Sequence, residues 1–188
     1  MLFRDPAYGV SFRFPSGWSF ASIAPGAVGA GTPNLSIAYR KGHTVFTGLR
    51  GLVANETLHG VPSWPKTTFS GVEFAYDARS MTSAAACHQL ADQDWNMEVG
   101  SVTLDGVRFW HGMAHDADVS TEMDEEIYAA FVPASGACLR FDLAVATSQV
   151  TGKRIPRELT SHESALIQSS LNTIRDSIRI APPRPTGQ

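Results

Sequence analysis

Apolar and polar positions alternate with a period of two along much of this chain. In YGVSFRFPSGW (8–18), Val10, Phe12 and Phe14 fall on one face and Ser11 and Arg13 on the other, as in a half-buried strand. Pro15 cannot donate to a ladder and Ser16-Gly17 supplies turn chemistry. The stretch therefore predicts a hairpin whose second arm resumes with Trp18 and Phe20 on the inner face. The same period marks strands at LSIAY (35–39), TVFTGLRGLVA (44–54), FSGVEFAYDA (69–78), IYAAFV (127–132) and CLRFDLAVAT (138–147). In 99–115, Asp105-Gly106 separates two alternating runs and predicts a tight hairpin.

Helical period appears twice. Residues 82–94 carry a threonine or serine N-cap followed by helix formers, and predict a short helix. Around residues 160–176, Thr160 and Glu163 fit a capping box, and Ile167, Leu171, Ile174 and Ile178 form one apolar stripe at spacings of four, three and four. SIRI (177–180) reads as a last short strand. The small-residue stretch 21–34 and the proline-bearing stretch 55–66 read as loops, and DADVSTEMDEE (116–126) as an acidic connection. Helices arrive late in a meander of hairpins, without βαβ alternation, so the class is α+β: a mainly antiparallel sheet with helices packed on it. Residues 1–180 are expected to form one domain, and 181–188 a disordered tail.

Composition narrows the partners. A net charge of −3 over 188 residues argues against nucleic acid, which calls for a basic face. Nowhere does an apolar run approach the ~20 residues of a membrane span. The first residues show no charged and apolar leader of the secretory kind. The partner is expected to be an unknown protein or small molecule, and the oligomeric state is not legible.

The reactive residue types do not assemble into a site. His111 and His115, with Asp116 and Asp118 beside them, would share a face on a helix, as zinc requires. On a strand, however, residues four apart are about 13 Å from one another. Asp116, Asp118, Ser120, Glu122 and Asp124 suggest a calcium loop, but Thr121 stands where glycine is needed and Ile127 where glutamate is. Ser63-Trp-Pro-Lys66 matches S-x-x-K, yet Pro65 opposes the helical turn that chemistry uses. Cys87 and His88 are neighbours and would point about 100° apart on a helix. Asn55-Glu-Thr57 is a glycosylation sequon, and GKRIPR (152–157) a small basic patch. No catalytic residue, metal ligand or cofactor is expected from these. The competing reading is a metal-dependent or serine hydrolase built on His111, His115 and Asp116. Trp110 alternates with Phe109, so one of the two turns away from the main core. It is either covered by a helix or exposed as an anchor for a partner. Trp110 and Trp95 are the candidate partner-contact residues, with Trp64 a further unplaced aromatic.

Several stretches together carry a resemblance. YGVSFRFPSGW, FSGVEFAY, Cys87, LDGVRFW, Tyr128, SGACLRFDL and a C-terminal helix ending in SI resemble PsbP-like domains and exported bacterial proteins of that kind. The likeness spans most of residues 8 to 180 and is weakest over 21–66. It implies a PsbP-like α/β/α sandwich and a non-catalytic role in binding or assembly.

There are two cysteines and no C-x-x-C spacing. One lies on the short 82–94 helix and the other opens a strand, and a helix lying on a sheet can bring such positions into bonding distance. A Cys87–Cys138 disulfide is expected, two separate buried thiols being the alternative. Such a bond persists in an oxidising compartment. The expected location is thus extracytoplasmic, periplasmic or secreted, if the chain is a mature fragment, and cytoplasmic otherwise.

Overall fold

A computed structural model describes residues 1–16, 18–22, 49–56, 66–117, 121–148 and 156–182. In chain order these form β1 (Leu2–Asp5), β2 (Val10–Arg13), β3 (Ser19–Ser22), β4 (Leu49–Glu56), β5 (Phe69–Ser80), α1 (Ala84–Asp92), β6 (Met97–Leu104), β7 (Val107–Ala117), β8 (Thr121–Val132), β9 (Ala137–Ser148), α2 (Ser161–Asp176) and β10 (Arg179–Ile180). Seven strands make an antiparallel sheet in the order β3-β4-β5-β9-β8-β7-β6, and β1-β2-β10 make a small one. The fold is α+β.

β9 shows how one sequence serves two faces. Leu139, Phe141 and Leu143 enter the main core, while the alternate Cys138, Arg140, Asp142 and Ala144 are buried on the opposite face. On the first face lie the small sheet and α2. Phe12 meets Phe3 at 4.7 Å and Phe74 at 4.8 Å between ring centroids, and Tyr76 meets Phe141 at 5.2 Å. Ile167, Leu171 and Ile174 bury the stripe of α2 in this cluster. Each such side chain taken from water is worth about 1.5–3 kcal/mol. The capping box at Thr160 and Glu163 starts the helix. Ile178 continues the stripe just beyond the helix, on the way into β10, which pairs with β2. On the second face, α1 packs against β8 and β9, so α1 and α2, the helices among the described residues, take opposite faces of the large sheet.

The Asp105-Gly106 hairpin forms as its sequence predicts, with φ of 47° and 80° at its two turn residues. That double left-handed turn suits the twist of the paired strands.

Two expectations are corrected. Residues 8–18 do not form a hairpin: β2 pairs with β1 and β10, whereas β3 pairs with β4 in the large sheet. Pro15 marks a passage between sheets, and Trp18 is half-buried at the core's margin. Alternation fixed the face of Val10, Phe12 and Phe14, but a period of two says nothing about the neighbouring strand. The acidic stretch is also not a connecting loop, because β8 begins at Thr121 and pairs in continuous register with β9 through Val132. Met123, Glu125 and Ile127 are among its buried positions, and the carboxylates of Asp124 and Glu126 meet histidines across the ladder with β7.

The expected strand 35–39, Trp64, Ser63, Thr57 of the sequon, Asp118, and most of the 21–34 and 55–66 loops lie outside the described residues. So do residues 152–155 of the basic patch and 183–188 of the tail. Ala181, before them, donates its backbone N–H to Gly9 at 2.9 Å.

Candidate functional site

α1 is nine residues long, too short to be stable alone, and is fixed to the sheet from within. Ser83 caps it by accepting from the Ala86 N–H, and Cys87, Leu90 and Ala91 form its buried face. Cys87 is joined to Cys138 of β9 by a disulfide, among Met81, Trp110 and Phe131. The next residue, His88, is turned toward β6 and β7. Its ring stands edge-on to Trp110 at 4.7 Å and to Trp95 at 5.6 Å, and its Nε2 lies 3.7 Å from Glu98 Oε1.

Trp95 lies against Gly112 of β7. A Cβ on Gly112 would fall 2.3 Å from the indole ring, so this position must lack a side chain for Trp95 to seat there. The indole Nε1 is buried and donates to no group among the described residues. Trp95, His88 and Trp110 are each half-buried, and together they form an aromatic rim at the outer margin of the large sheet. Both tryptophans named from the sequence belong to it. Trp110 is partly covered by α1 and partly open, between the two alternatives the sequence left.

His111 lies on the other face. It stacks on Tyr128 with centroids 4.5 Å apart and planes 7° from parallel. Its Nε2 is buried, 3.5 Å from Glu126 Oε2, without forming a hydrogen bond among the described residues. Glu126 already accepts from the Tyr128 hydroxyl through Oε2 and from Gln168 Nε2 of α2 through Oε1, the latter at 3.0 Å. Arg175 of α2 donates to the Tyr128 hydroxyl at 3.2 Å. Burial pushes the Tyr128 pKa up to about 12, helped by the hydrogen bond to Glu126. Burial likewise lowers the pKa of His111, outweighing the attraction of Glu126. The cluster ties α2 to β7 and β8.

His115 pairs separately with Asp124, Nδ1 to Oδ1 at 2.8 Å. Asp116 follows in β7, its backbone opposite Met123. Thus the structure gives His111 and His115 separate partners rather than one centre. Among the described residues no group of three His, Cys, Asp or Glu side chains could hold a metal. Lys66 is exposed, with φ of 68°, outside any helix. Two open grooves, about 550 and 440 Å³, flank the small sheet, away from these histidines.

One feature of the second face was not anticipated. Arg140 is fully buried; its Nε donates to Asp142 Oδ1 at 2.7 Å and its Nη1 to Asp94 just beyond α1, with Asp77 as its register partner on β5. Burial opposes its charge, but Asp142, Asp94 and Asp77 outweigh that and raise its pKa. The available signal was LRFDL, where an arginine and an aspartate two apart in an apolar run must share a face.

No protein-family model matches the chain, and no curated protein matches it. Among solved structures it is similar to a protein of Bacteroides thetaiotaomicron VPI-5482, with a TM-score of 0.45 and 8% identity over 100% of this chain and 49% of that one. It therefore spans about half the length of that protein. It is also similar to LpqN of Mycobacterium tuberculosis, described as involved in cell envelope biogenesis, with a TM-score of 0.48 and 10% identity over 92% of this chain and 83% of that one. No described helix is long and apolar enough to cross a membrane.

Proposed function

We propose that this chain is a non-catalytic binding or assembly module working in an extracytoplasmic compartment, and that it meets its partner through the rim of Trp95, His88 and Trp110. The observation that carries the reading is the attachment of this rim to the Cys87–Cys138 disulfide. A half-open aromatic cluster held by a covalent link is preorganised, which lowers the entropy lost on binding. Aromatic side chains also dominate contact energetics. The disulfide supports the compartment, since such bonds are rare in reducing cytosol. The motif resemblance to PsbP-like domains supports the role, as does the placement of α1 and α2 on opposite faces of an antiparallel sheet. The hydrolase alternative is disfavoured because Tyr128, Glu126, Gln168 and Arg175 spend their polar groups on one another.

A photo-reactive residue in place of Val99, which is exposed at this margin, tests the reading in the native compartment, with Ser164 of α2 as the control position. The expected result is a discrete adduct from position 99 that Gly112→Ala diminishes. Equal labelling from both positions, or none from 99, overturns the assignment of the rim.

A further inference from the structure

On the face opposite the aromatic rim, Met97 and Met113 are register partners across β6 and β7. Both are open to solvent, at 56% and 40%. Directly opposed side chains of an antiparallel pair have Cβ atoms about 5 Å apart, so two flexible thioethers can converge on one point. His115 follows Met113 by two residues on the same face, about 7 Å along the strand. Its imidazole is 56% exposed, and Asp124 holds its Nδ1 at 2.8 Å. A carboxylate against one imidazole nitrogen is the pairing that orients a metal-ligating histidine and raises its basicity.

We propose that Met97 Sδ, Met113 Sδ and the His115 imidazole form a surface site for Cu(I). The donor set selects the ion. Thioethers are soft ligands and favour Cu(I) over zinc, calcium or magnesium. Among the described residues, the carboxylates facing these side chains from β8 are engaged elsewhere: Glu126, opposite Met113, by Tyr128 and Gln168, and Asp124 by His115. Both cysteines are held in the disulfide, which leaves thioethers as the sulfur donors. Isolated exposed hydrophobics are ordinary. Two methionines at one ladder position with an oriented histidine beside them are a ligand set. The inference does not depend on the aromatic rim, which lies on the other face.

The test uses the full oxidised chain. Cu(I) is titrated anaerobically against a chromogenic Cu(I) chelator, and Ag(I) serves as a redox-inert stand-in for NMR of methyl-labelled methionine. The expected result is one saturable equivalent, with the methyl resonances of Met97 and Met113 shifting and those of buried Met123 and half-buried Met81 unmoved. Met97→Leu and Met113→Leu should each weaken binding by roughly tenfold or more, and His115→Gln by a similar or smaller factor. Met1→Leu should leave the affinity intact, and circular dichroism checks that each variant is folded. Shifts confined to Met1, non-saturating binding, or an unchanged affinity in a folded Met97→Leu/Met113→Leu double variant would overturn the proposal.

Discussion

The Cα atoms of Cys87 and Cys138 stand 5.4 Å apart, joining a short surface helix to a central strand across 51 residues of sequence. The aromatic part of the α1 face is organised about that link: His88 follows Cys87, and Trp110 packs in the same buried cluster as the two cysteines. Closing a loop of this length restricts the unfolded chain, worth about 4 kcal/mol in the chain-entropy description. A Cys87→Ala/Cys138→Ala variant should therefore unfold at lower denaturant, with wild type in strong reductant moving the same way. An unchanged midpoint would mean that burial alone holds α1.

Gly112 provides a sharper probe of the rim than removing an aromatic. Because a Cβ there would overlap the Trp95 ring, Gly112→Ala must displace the indole. The His88–Trp95–Trp110 contacts should loosen while the β6–β7 ladder persists. Tryptophan emission should shift to the red with far-ultraviolet circular dichroism preserved. Emission identical to wild type would show that Trp95 does not rest on Gly112.

How far the sequence was legible depended on the range of the interaction. Asp105-Gly106, the Thr160–Glu163 box and the stripe Ile167-Leu171-Ile174 are local, and each formed as read. Faces were legible as well, because a period of two fixes them. Partnership between strands was not: nothing near Val10 says that β2 lies between β1 and β10 rather than against β3. Acidic β8 misled for a related reason. Its charges are tolerated in a strand because β7 places His115 opposite Asp124 and His111 diagonally from Glu126, a fact held by residues outside the segment. In the rim, the tryptophans were visible as unplaced aromatics. The contribution of His88 and Gly112 depends on α1 meeting β7, which no short window contains.

Stability should fall on both sides of neutrality, for separate reasons on one cluster. The Tyr128 pKa is raised from 10.0 to about 12 in the folded chain. Below pH 10 the hydroxyl keeps its proton in both states and its contribution is complete; between pH 10 and 12 the unfolded chain ionises first, and stability is lost. His111 is lowered from 6.5, so its contribution is complete above that pH and declines as acid protonates the unfolded chain first. Glu163, held at about 2 chiefly by Arg157, acts only in stronger acid. Unfolding midpoints measured across pH should lose their alkaline limb in Tyr128→Phe and their limb just below neutrality in His111→Gln. Parallel profiles in wild type and variants would refute the assignment.

Arg140 offers a separate test of how the second face is held. Its guanidinium reaches Asp142 on its own strand and Asp94 just past α1, so one buried cation bridges sheet and helix end. Replacing it with methionine keeps much of the volume but leaves Asp142, Asp94 and Asp77 without the charge that faces them. Breaking a buried pair from one side typically costs about 3–5 kcal/mol. Arg140→Lys restores the charge as a single point and cannot reproduce a planar fork donating in two directions, so it should recover only part of the loss. The expected order of denaturation midpoints is wild type, then lysine, then methionine. Asp94→Asn should weaken α1 in particular, read as faster amide exchange at Cys87 and Leu90 than in the β5–β9 ladder. A methionine variant as stable as wild type would mean that the carboxylates find sufficient partners elsewhere.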